Sequence, residues 1–92
     1  MRFHILLLEQ VTEEDIPHLS RRDHERIGQA IAKKLTEHPE IFGKPLRRAL
    51  KGYRSLRVGD FRVVFRIQEN TVKIFLIAHR SVVYERYQER FG

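Results

Sequence analysis

The chain has 92 residues, enough for one domain (residues 1–92) with one modest hydrophobic core. It contains no cysteine, which excludes disulfides and thiolate chemistry. Eighteen lysines and arginines against twelve acids give a formal charge of +6. The bases gather from Gly43 onward, which points to an acidic partner: RNA, DNA, an anionic surface or an acidic protein.

The first apolar run, Ile5 to Leu8, is too short for a signal-peptide core or a membrane span. The expectation is a cytoplasmic protein with no membrane partner. Phe3 to Leu8 reads as a short strand, apolar on both faces, that adds to the edge of a sheet. Glu14 to Leu19 reads as one or two helical turns. Pro17 is tolerated only in a first turn, so Asp15 is the better N-cap.

Ser20 opens the main helix. Ser20 and Asp23 stand at capping-box spacing, and Ile27, Ala30, Ile31 and Leu35 form one apolar stripe. The helix should stop before Pro39, because the residue preceding a proline is pushed out of the α region. Ile41 and Phe42 are expected to tuck under the sheet. Gly43-Lys44-Pro45 reads as a turn, and Leu46, Ala49 and Leu50 as a short helical turn.

Leu56 to Ala78 reads as two consecutive β-hairpins. Gly59-Asp60 makes the first turn and Glu69-Asn70 the second. If both are two-residue turns, Val58 faces Phe61, Arg57 faces Arg62 and Leu56 faces Val63. In the second hairpin Phe65 faces Ile74, Val63 faces Leu76 and Arg62 faces Ile77. Side chains alternate between faces with period two. One face then collects Leu56, Val58, Phe61, Val63, Phe65, Ile67, Val72, Ile74, Leu76 and Ala78. The other collects Arg57, Arg62, Arg66, Lys73 and, at the strand end, His79. Ser81 to Phe91 reads as a terminal helix with Ser81 as its cap and Tyr87 and Phe91 on its apolar side.

The predicted fold class is α+β. A small antiparallel sheet of about four strands carries two N-terminal helices on one face and a short C-terminal helix.

The basic face invites a functional reading. Arg57 opposite Arg62 is a like-charge pair, which costs stability across a sheet. An anion between them removes that cost, and nucleic acid is the abundant polyanion. The alternative is a solvated face whose long side chains splay into water. Metal binding is not expected: His4, His18, His24, His38 and His79 lack ligand spacing. There is no phosphate-binding glycine loop and no dinucleotide motif, so no cofactor is expected. RNA cleavage needs less. The 2′-hydroxyl is the nucleophile, histidine can move a proton near neutral pH, arginine can hold the phosphate, and tyrosine can orient or stack. His79, Arg80, Arg57, Arg62 and Tyr84 supply that set. Lys51, Arg54, Arg66 and Lys73 are the further candidate RNA-binding residues.

At these residues the chain resembles the RelE/ParE toxin superfamily of type II toxin–antitoxin systems. The segments that carry the resemblance are Gly43 to Leu46, Leu50 to Arg54, Leu56 to Phe65, and Ala78-His79-Arg80 followed by Val83-Tyr84. The resemblance implies a toxin neutralised by a cognate antitoxin that wraps it. RelE-like members cleave messenger RNA on the ribosome by 2′-hydroxyl attack, without a metal. On that pattern Arg62 contacts the phosphate in the transition state, Arg80 supports the leaving group, and Tyr84 takes the C-terminal aromatic position. Arg57 sits where the family has a basic residue on the preceding strand. The chain departs from some members in having Ser55 where a lysine can occur, which makes His79 the candidate general base. ParE-like relatives inhibit DNA gyrase without cleaving RNA. An inactive antitoxin-binding relative is the third reading.

Overall fold

The computed structural model describes residues 2–91. The chain begins with strand β1 (His4–Leu7). A helical segment (Val11–Asp15) follows and tightens into a 3-10 turn (Ile16–His18). Helix α1 (Arg21–Ala30) comes next, continued by a wider turn (Ile31–Leu35) and a short helix α2 (Pro39–Phe42). Strand β2 (Lys44–Pro45), a 3-10 turn (Arg48–Leu50), β3 (Arg54–Val58), β4 (Phe61–Gln68), β5 (Thr71–His79) and helix α3 (Val83–Phe91) complete it. The sheet has five strands in the order β1-β5-β4-β3-β2. β1 lies parallel to β5, and the other neighbours are antiparallel. The architecture is the expected α+β, but the sheet is mixed where an antiparallel one was expected, and it has one strand more. Lys44-Pro45, read as a turn, pairs with Arg54 and Ser55 as an edge strand.

The start of α1 follows from its cap. The Ser20 side chain accepts a hydrogen bond from the Asp23 N–H at 3.1 Å. Ile27, Ile31 and Leu35 then fall on one stripe and are buried against the sheet. The stripe meets Leu56, Val58, Val63, Phe65, Val72 and Ile74, so this sheet face forms the larger core. Glycine is required at position 43, because a Cβ there would run into the Phe65 ring.

The first hairpin has the predicted register. Leu56 pairs with Val63, Arg57 with Arg62 and Val58 with Phe61. Gly59 takes a positive φ of 60°, which the tight turn demands and glycine supplies without strain.

The second hairpin departs from prediction. Phe65 pairs with Ile74 as expected, but Val64 pairs with Leu76, so Phe75 is an inserted residue, a β-bulge. Beyond it every side chain of β5 changes face. Arg62 pairs with Ala78, and Val63 with Ile77. Leu76 and Ala78 leave the α1 side and join Val64, Tyr87, Val82, Val83 and Phe91 in a second, smaller core under α3. Ile77 moves to the larger core.

Long-range contacts fix the bulge. Near Ile74 β1 ends, with Leu8 N–H donating to Ile74 O at 3.1 Å. The next main-chain groups are taken up by two side chains. Ile77 N–H donates to Asp15 Oδ2 at 2.9 Å, and Arg90 Nη1 donates to Phe75 O at 2.9 Å. Arg90 and Asp15 also bind each other through two bonds of 2.8 Å, with side chains only 5 % and 6 % exposed. That hydrogen bond, opposed by burial, raises the Arg90 pKa above its ordinary value. Asp15 is therefore a buried tie between the first helical segment, β5 and α3, and makes no N-cap hydrogen bond.

Two further expectations fail. Ile41 and Phe42 do not tuck under the sheet: they are 70 % and 44 % exposed, with the Lys34 ammonium 5.4 Å from the Phe42 ring centre. Ser81 does not open the terminal helix, which begins at Val83. Its hydroxyl lies 2.8 Å from His79 Nδ1.

Candidate functional site

Arg62 follows the first hairpin turn on β4 and projects to the α3 side of the sheet, opposite Arg57 on β3. The two guanidinium stems share one face, as the turn register requires. Arg62 is half-buried and Arg57 is exposed. Arg62 makes one long hydrogen bond, Nη1 to its neighbour Phe61 O at 3.4 Å. Most of its donor capacity is left for a ligand.

Arg80 follows β5, whose end lies beside Arg62 and the Gly59-Asp60 turn. The Arg80 N–H donates to Asp60 O at 2.7 Å, so the Gly59-Asp60 turn fixes where β5 ends. Its side chain lies 3.7 Å from the Asp60 carboxylate, with both groups largely in solvent, so the pair is weak. Tyr84 stands in the first turn of α3 and is 70 % exposed.

Arg62, Arg80 and Tyr84 line one cavity of about 180 Å³ between the sheet and α3, and Arg57 stands outside its lining. Ser55, Arg62, Arg80, Tyr84 and Tyr87 supply its polar groups, and Leu46, Leu50, Val64 and Val83 its apolar wall. The cavity sets two guanidiniums beside hydroxyl groups over an apolar floor. Such a site suits a phosphoryl group, since an anion gains more from fixed cations where water is partly excluded. Burial, and to a smaller degree Tyr53, pushes the Tyr87 phenol above its ordinary pKa.

His79 is not in this cavity. The bulge at Phe75 turns it to the opposite sheet face, where its ring packs edge-on to Phe61 with centres 5.5 Å apart. It lines a separate cavity of about 380 Å³ with Glu13, Glu14, His18 and Arg86. The Ser81 N–H donates to His79 Nδ1 at 3.1 Å, so the strand-end imidazole closes a turn. The expectation that His79 joins the arginines as a general base is corrected accordingly.

The four RNA-binding candidates separate. Arg54 projects to the α1 side, and its Nη1 donates to Gly43 O at 2.8 Å and to Glu40 O at 3.2 Å. It closes the end of α2, and its assignment as an RNA contact is withdrawn. Arg66 and Lys73 pair across β4 and β5 on the same face as Arg62, with Arg66 5.9 Å from the Tyr53 ring centre. Lys51 is exposed after the 3-10 turn. Sequence reasoning missed Ser55 and Tyr87 as cavity residues, and it assigned nothing to Lys44, Arg47 and Arg48. The signal for those three is the acid-free run 41–59, which holds six bases.

Comparison with known proteins agrees with the fold. Residues 7–84 match the family model described as the ParE toxin of the type II toxin–antitoxin system parDE. The chain is 40% identical over 73 residues to a toxin RelE of Mycobacterium tuberculosis, covering 68% of this chain and 75% of that one. It is 43% identical over 54 residues to the toxin RelG of the same organism, covering 56% of this chain and 62% of the relative. The fold superposes on the crystal structure of the toxin–antitoxin complex RelBE2 from Mycobacterium tuberculosis with a TM-score of 0.81 and 29% identity, covering 87% of this chain and 100% of that one. The chain belongs to the RelE/ParE superfamily of type II toxin–antitoxin toxins.

Proposed function

We propose that the protein is a ribosome-dependent endonuclease that cleaves messenger RNA, and that a cognate antitoxin neutralises it. The observation that carries this reading is the shared cavity of Arg62, Arg80 and Tyr84. In this scheme the scissile phosphate enters between the guanidiniums. The RNA 2′-hydroxyl gives its proton to solvent water as its oxygen attacks phosphorus, the bond to the 5′-oxygen breaks, and the departing oxygen takes up a proton, leaving a 2′,3′-cyclic phosphate and a 5′-hydroxyl. Negative charge grows on the phosphoryl oxygens as the 2′-oxygen bonds, and Arg62, half-buried and nearly free of other partners, meets it. Arg80, at the cavity rim, supports the departing oxygen. The Tyr84 hydroxyl orients the substrate or donates a proton. Arg57 draws the strand in from solvent, and Arg66, Lys73 and Lys51 extend the positive surface. His79 has no part in the step. The antitoxin follows from family membership and from the RelBE2 relative, a toxin bound to its antitoxin.

The ParE family model keeps a second reading open, inhibition of DNA gyrase without RNA cleavage. Mapping of mRNA 5′ ends in a translation reaction, run beside a supercoiling assay, separates the two. New 5′-hydroxyl ends with normal supercoiling support the nuclease. Blocked supercoiling with intact mRNA supports the gyrase reading. Expression without growth arrest would mark an inactive relative.

A further inference from the structure

A larger groove, of about 770 Å³, opens beside the phosphate cavity and shares its wall: Leu46, Leu50, Tyr84 and Tyr87 line both. Beyond Tyr84 the groove is lined by Lys44, Arg47, Arg48 and Gln88. The three cations are exposed, and among the described residues none makes an ion pair or side-chain hydrogen bond. No acid occurs between residues 41 and 59 to offset them. Arg48 also holds a φ of 58°, the left-handed region that glycine occupies at least cost. A chain selected only for stability gains nothing from three unpaired like charges around such a position.

We propose that Lys44, Arg47 and Arg48, with Tyr84 and Gln88, form a subsite for the single-stranded RNA that runs out of the phosphate cavity. The inference rests on the nuclease reading and extends it to the flanking nucleotides. The cations take backbone phosphates beyond the scissile one. The exposed Tyr84 ring, at the boundary between cavity and groove, stacks against the adjoining base. Gln88, carrying both donors and an acceptor, meets a base edge or a ribose hydroxyl. Repeating cations beside an open aromatic ring match RNA better than an acidic polypeptide, whose carboxylates need no stacking surface.

The test compares the wild-type toxin with the triple variant Lys44→Gln, Arg47→Gln, Arg48→Gln. The probe is a labelled twelve-nucleotide 2′-O-methyl oligoadenylate, which lacks the nucleophile. The triple variant is expected to lose about ten-fold or more in affinity at low salt, and its log–log salt slope to fall by about 2, since each single-strand phosphate contact contributes roughly 0.7. Unchanged affinity and slope would overturn the proposal. Loss of binding to poly-glutamate with RNA binding intact would also overturn it, in favour of a protein partner. Arg48→Gly separates function from folding. It should leave the melting temperature unchanged or raised, yet weaken RNA binding several-fold. Retained affinity would assign Arg48 a structural role only and remove it from the subsite.

Cleavage on programmed ribosomes supplies the second readout. The triple variant should raise KM with kcat nearly unchanged, because the groove binds RNA away from the reacting atoms. A drop in kcat at constant KM would contradict the proposal. If the wild-type protein cuts no mRNA at all, the nuclease reading falls, and the oligonucleotide arm alone decides the groove.

Discussion

Replacement of Arg90 by alanine should be the most damaging single change away from the cavity. Arg90 and Asp15 are joined by two 2.8 Å bonds and are almost fully buried. Arg90 also satisfies the Phe75 carbonyl at the bulge. Arg90→Ala leaves a buried carboxylate with only the Ile77 N–H, and a carbonyl without its donor. Breaking a buried pair from one side costs about 3–5 kcal/mol. A domain of this size has a total stability of roughly 5–14 kcal/mol. The variant should therefore lose roughly a fifth of its stability at the least, and most of it if the domain is marginal. At about 4–8 °C per kcal/mol for a small domain, its melting temperature should fall by tens of degrees. The double variant Asp15→Asn, Arg90→Met removes both charges and should recover much of the loss, because a neutral replacement avoids the stranded charge. Urea unfolding followed by circular dichroism at neutral pH reads both. A single variant within about 1 kcal/mol of wild type would refute the claim that this pair secures the bulge and α3. So would a double variant no better than the single.

Other consequences are smaller. His79→Gln should leave mRNA cleavage within a few-fold of wild type, since the ring lies on the opposite sheet face from Arg62; a hundred-fold loss would restore a catalytic role. Ser20→Ala should cost about 1 kcal/mol in urea unfolding by removing the acceptor for Asp23 N–H. Tyr87 has a raised pKa, so the folded chain holds the phenolic proton more tightly than the unfolded chain. Its contribution to stability is complete below the ordinary tyrosine value and is lost as pH rises through the folded one. Tyr87→Phe should therefore flatten the alkaline fall in urea midpoint, and an unchanged slope would contradict the burial argument.

The parts of the fold legible in the sequence are those set by local rules. Gly59-Asp60 fixes a two-residue turn, so the pairing of Arg57 with Arg62 followed directly. Ser20 and the Ile27-Ile31-Leu35 stripe gave α1 for the same reason. What stayed hidden depends on residues far apart in the chain. The bulge at Phe75 is held by Asp15 and Arg90, which are separated by 75 positions, and alternation carries no trace of either contact. Missing that one inserted residue reversed the end of β5 and placed His79 beside the arginines. Arg54 was misread because a basic residue before a strand looks the same whether it meets RNA or the carbonyls closing α2. Lys44-Pro45 was read as a turn because two residues are too few to show strand periodicity. Arg62, Arg80 and Tyr84 were singled out by chemistry and resemblance together, and all three line one cavity.

The most direct measurement is single-turnover mRNA cleavage on programmed ribosomes by wild type and Arg62→Ala, with folding of both checked by circular dichroism. The account predicts a folded variant whose rate falls by a factor on the order of 10²–10³, from loss of one preorganised charge at the phosphate. A folded Arg62→Ala protein that cuts at the wild-type rate would contradict it.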